Sequence, residues 1–96
     1  MAKFRKKPVE LEAVQWFQMG DHPAVTEEWM RGDGSFLKDR PGDIDRVVTA
    51  QKVPAVKTLE GWHRVTPGDW IITGIVGEVY PCKDAIFRAT YDEVTP

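Results

Sequence analysis

Two turn signals set close together constrain this chain more than any other feature. In "TPGDWIITGIVGEVYP", Pro67-Gly68 occupies the two central places of a type II turn, and Gly74 and Gly77 enclose a second reversal. Between them only Trp70–Thr73 remains, too short for a helix and long enough for one strand. The stretch therefore reads as short antiparallel strands. If Thr66 lies opposite Asp69, then Val65 faces Trp70 and His63 faces Ile72; the second turn sets Ile72 opposite Val79 and Ile71 opposite Tyr80. On this three-stranded meander, one face carries His63, Val65, Trp70, Ile72 and Val79, which is the core pattern. The other carries Trp62, Arg64, Ile71, Thr73, Glu78 and Tyr80. A type II turn splays a tight hairpin, so the first connection is either a hairpin or an open corner.

Elsewhere the signals are more local. "VELEAVQWF" (9–17) begins with apolar and charged residues in alternation, a half-buried strand with Glu10 and Glu12 toward water. The apolar parity shifts at Val14 and Trp16, which predicts a bulge near Ala13. "GDHPAVTEEWMRG" (20–32) reads as a short helix: Asp21 caps, Pro23 sits in the first turn, Val25 and Trp29 share a face, and Gly32 ends it. Residues 32–46 read as a long flexible loop interrupted at Phe36-Leu37. Residues 46–61 supply one or two short strands, with Pro54 forcing an edge or a break. Asp84 caps a closing helix, 85–91, with Phe87 and Tyr91 on one side.

These elements compose one α+β domain over residues 1–96: a small, mainly antiparallel sheet containing the C-terminal three-stranded meander, with two short helices. A formal charge of −2 gives no electrostatic reason to bind nucleic acid or an anionic membrane. The basic start, Lys3, Arg5, Lys6 and Lys7, lacks the apolar run of a secretory signal and reads as a solvated lead-in to a strand. With no apolar stretch of spanning length, the expected location is the cytoplasm. Four tryptophans, at 16, 29, 62 and 70, are read mainly as core fillers in so short a chain.

No set of residues converges on a reaction. Cys82 is the one cysteine, so no internal disulfide forms; it precedes a helix start, but Asp84 opposes the dipole and His63 falls on the other side. His22, His63 and Cys82 follow no metal-ligand spacing, and Asp39, Asp43 and Asp45 do not keep the EF-hand register. "RGD" (31–33) is a short match of high chance frequency, and "GIVG" is not a phosphate loop. The expectation is no catalytic residue, no metal and no cofactor. The more suggestive feature is the turn itself, which sets Ile75 and Val76 where polar residues are usual; exposed, they are candidates for a partner or subunit contact.

The two ends, "KFRKKPVELEAVQW" (3–16) and "LEGWHRVTPGDWIITGIVGEVYPCKDAIFRATYDEV" (59–94), resemble a group of small proteins encoded by tailed bacteriophages and prophages. Asp84 stands where that group commonly has proline. The resemblance implies a protein made in the cytoplasm of a bacterial host and brings no catalytic residues. Three expectations follow. The first is a non-enzymatic accessory protein that binds a host or phage protein, with a homodimer as one form. The second is a nucleotide-type small-ligand binder acting against host defence, with Trp62 and Tyr80 stacking and Arg64 neutralising charge. The third is a Cys82-dependent enzyme.

Overall fold

The computed structural model describes residues 1–4, 9–37 and 50–94. These form strands β1 (Glu12–Gln15), β2 (Val25–Met30), β3 (Gln51–Thr58), β4 (Gly61–Arg64), β5 (Trp70–Thr73) and β6 (Val79–Cys82), then helix α1 (Asp84–Thr90). All pairings are antiparallel and fall into two three-stranded sheets, in the orders β1-β5-β6 and β2-β3-β4. The described fold is thus mostly β with one helix.

The expected helix over 20–32 is a turn followed by β2. Asp21, read as its cap, instead accepts from the backbone N–H groups of Phe17 and Gln18 behind it, at 2.9 and 3.1 Å. The chain then turns tightly at Pro23-Ala24, where the Val25 N–H donates to the His22 carbonyl at 3.2 Å. The next six residues alternate as a strand and pair fully with β3. Val25 and Trp29 do share a face, but a pleated one. After Met30, the chain reverses through 31–35, bonded by Arg31 N–H to the Ser35 carbonyl at 2.7 Å, and Phe36 bridges back to Met30. Most of the expected 32–46 loop lies outside the described residues, as do Asp39, Asp43 and Asp45.

The expected meander is half a meander. β5 and β6 form a hairpin, but β4 pairs with β3 and leaves β5 to pair with β1. "TPGD" is therefore the open corner between sheets. Its turn closes through Asp69 N–H to the Thr66 carbonyl at 3.0 Å, with Gly68 at φ +97° as a type II turn requires. The same glycine begins a bulge: the Gly68 N–H donates to the Trp16 carbonyl, and the Trp16 N–H donates to the Asp69 carbonyl, so two residues face one. No bulge is needed near Ala13. Leu11, Ala13 and Gln15 alternate regularly with exposed Glu10, Glu12 and Val14, and the irregularity sits on the opposing strand.

The hairpin register also differs by one. Glu78 belongs to the loop, its carbonyl accepting from Gly74 N–H at 2.7 Å, so Ile72 pairs with Tyr80 and Thr73 with Val79. Val79 consequently moves to the face of Ile71. That face packs on the other sheet: Ile71, Trp16, Val25, Val56 and Val65 are all buried in one cluster, with Ala24 and Val79 against it. A second cluster of Phe36, Val53 and Ala55, flanked by Met30 and Trp62, lies on the opposite side of the β2-β3-β4 sheet. Pro54 does not break β3. Nor is it at an edge, since β3 is the central strand; Pro54 faces Val65 just past the end of β4, where its carbonyl accepts from Val65 N–H at 2.9 Å and its missing N–H costs the ladder one terminal bond.

Candidate functional site

Ile75 and Val76 are exposed, at 74% and 82%. The turn that carries them is pinned rather than slack. Gly77 N–H donates to the Gly74 carbonyl at 3.1 Å, and Val76 N–H donates to the Glu78 carboxylate at 3.0 Å. That carboxylate lies where a Cβ on Gly74 would sit, so a larger residue there would make the Glu78 side chain swing aside and give up the clamp. Two large aliphatic side chains are thus held outward by a polar clamp beneath them. Beside this tip, a cleft of about 420 Å³ opens between the β3–β4 turn and β6, lined by Leu59, His63, Glu78, Tyr80 and their neighbours. Leu59, 83% exposed, extends the apolar rim.

The other three expected binding residues are not brought together. Trp62 and Arg64 lie on β4, paired with Lys57 and Ala55. Trp62 is half-buried against Phe36, with ring centroids 6.5 Å apart, and the Lys57 ammonium sits 5.5 Å from its ring centre. Tyr80 lies in the other sheet, opposite Ile72. Its phenol is pushed up to about 12 by burial, by its hydrogen bond with Tyr91 and by the Glu78 charge. The single face read for the three depended on β4 pairing with β5.

Cys82 pairs with Trp70 across the hairpin. Burial and the nearby Asp69 carboxylate push its thiol up, so it carries less thiolate at neutral pH than a free cysteine would. His63 is exposed on β4, and His22 Nδ1 accepts from Ala24 N–H at 3.0 Å. Among the described residues no three His, Cys, Asp or Glu side chains converge as a metal site.

Sequence reading missed two polar clusters. Asp69 is 3% exposed, and its carboxylate accepts from Thr66 N–H at 2.9 Å, Thr66 Oγ1 at 3.2 Å and the Lys83 ammonium at 3.0 Å. Asp84 does not cap α1 with its side chain. It accepts from Trp70 Nε1 at 2.8 Å, from Arg88 Nε at 2.9 Å and from Gln15 Nε2 at 3.4 Å. The Trp70 hydrogen bond and the Arg88 charge hold its carboxyl below the usual aspartate range. Above this anchor Trp70, Phe87 and Tyr91 stack in a ladder, with centroids 4.1 and 5.1 Å apart. The i, i+4 spacing of Phe87 and Tyr91 was the signal for half of it.

Alongside the ladder, a cavity of about 590 Å³ separates α1 from the β1–β5 face. No helix among the described residues is long and apolar enough to cross a membrane. No known family, curated protein or solved structure matches this chain.

Proposed function

We propose that this chain is a non-enzymatic phage or prophage accessory protein that binds a host or phage macromolecule through the Ile75–Val76 tip, in the cytoplasm of the bacterial host. The observation that carries the reading is the clamp. A turn with two fully presented aliphatic side chains, stiffened from below by Glu78, loses little conformational entropy when a partner covers it. The Cys82 thiol, shifted away from thiolate by burial and by the Asp69 charge, favours binding over thiol chemistry. The phage context rests on the resemblance of the two ends of the sequence. A second copy of the chain is one partner the tip suits, and light scattering separates that outcome from a foreign protein.

The test pairs wild type with an Ile75→Ser/Val76→Ser variant, both changes lying on exposed side chains. Wild type is expected to form a complex, with itself or with a protein of bacterial lysate, that the variant loses while its thermal midpoint stays within a few degrees. A strictly monomeric wild type that recovers no partner overturns the proposal, as does a complex the variant keeps.

A further inference from the structure

The cavity beside α1 differs from the tip in place and chemistry. Its deeper wall is Leu11, Ala13 and Ile72 from β1, its approach and β5, and its side is the Trp70, Phe87 and Tyr91 ladder. A flat apolar body fits such a wall, because ring edges and aliphatic groups together cover it without leaving polar atoms unpaired. The rim has the opposite character. Glu10, Asp92 and Glu93 are exposed there, and none forms an ion pair with another of the described residues. Arg88, the one cation among the lining residues, is already spent on Asp84 at 2.9 Å. Three carboxylates at the mouth of an aromatic slot, with no cation of the described residues paired to them, repel anions and favour a cation.

We infer that this cavity binds a small organic cation with a flat apolar body, of the aryl-alkylamine class. The ring edges and the aliphatic wall take the body, and the carboxylates take the ammonium. The volume of about 590 Å³ lies within the range of small-molecule sites and well above the size of a single buried water. This site is independent of the tip, so loss of a macromolecular partner leaves it standing.

The experiment is an amide-resolved NMR titration of the full chain with three probes of one shape and different charge: tryptamine, indole and indole-3-propionate. Tryptamine is expected to shift Ala13, Ile72, Phe87 and Val94 saturably, and to bind about tenfold or more tighter than indole-3-propionate. A Glu10→Gln/Asp92→Asn/Glu93→Gln variant, altered only at exposed positions, is expected to lose about tenfold for tryptamine and nothing for indole. Added salt should weaken tryptamine alone, which reads the same charge effect without any substitution. Equal affinity for the three probes, shifts centred on the cleft at 58–60 and 78–81, or no saturable shift at all overturns the inference.

Discussion

Asp69 is the residue whose environment is most demanding. A carboxylate this buried is tolerated only when its oxygens are satisfied, and Thr66 and Lys83 supply that satisfaction from two directions. The two partners are not equivalent. Thr66 offers a backbone N–H inside the corner, whereas the Lys83 side chain is 62% exposed and rehydrates freely if released. Asp69→Ala is therefore expected to cost about 2 kcal/mol in urea unfolding, because it strands the Thr66 N–H. Lys83→Ala should cost less than about 1 kcal/mol, since water screens that ion pair. Equal losses would show the salt bridge, rather than the turn, to be the important contact. The corner was legible in sequence as Pro-Gly, but the burial of its aspartate was not. The corner that holds it is pinned by backbone bonds from Trp16, far away in sequence, to Gly68 and Asp69.

At the scale of elements, α1 depends on its contacts rather than on itself. Seven residues fall short of what a helix needs to persist alone, and none of them is buried. What holds it is the Trp70–Phe87 stack and the Asp84 carboxylate, both reached from β5. Because the Asp84 carboxyl sits below the ordinary aspartate range, its contribution is present above that range and is lost as pH falls through the lowered value. Acid is thus expected to loosen α1 before the sheets unfold, and Asp84→Ala, which removes the acceptor of the Trp70 indole N–H, should loosen it at neutral pH; amide exchange at 85–90 reads both. Tyr80 acts at the other limit. With its phenol raised from 10 to about 12, the folded state holds a proton that the unfolded chain gives up, so stability falls as pH rises from 10 to 12. The absorbance difference at the phenolate band between wild type and Tyr80→Phe should therefore grow in near 12. The closing helix could be read from local spacing because Phe87 and Tyr91 lie four apart, whereas the third ring, Trp70, comes from β5. β2 could not, because Val25–Met30 fits a helical face as well as a pleated one, and only its pairing with β3 decides.

At the scale of the whole molecule, two small sheets share one thin core, and its members come from β2, β3, β5, the corner and the end of β1. Ile71 lies at its centre, wholly buried and paired on both sides. Ile71→Ala is expected to cost about 3 kcal/mol and to unfold both sheets in a single transition, whereas Ile75→Ala on the exposed tip should be nearly silent. Of this core, the sequence pattern placed Val65 and Val79 on the buried face but set Ile71 on the mixed one; Ile72, read as core, is buried on the opposite face, against the slot. The partition into two sheets was not legible, since a turn motif specifies how the chain bends and leaves open which strand it joins. Gly68 carries a consequence of that partition. One residue serves at once as the third place of the turn and the first of the bulge, so the corner has no slack in length. Val65 on one side and Ile71 on the other are both locked in the core, and a strand shifted by one residue presents its opposite set of side chains. Removing or adding a residue within 66–69 would rotate β5 by half a turn about its own axis. Ile71 and Thr73 would then trade places with Trp70 and Ile72, and the interior would become the wall of the aromatic slot. The corner works as a phase lock: chain length there, more than the identity of the side chains, sets which half of β5 faces inward.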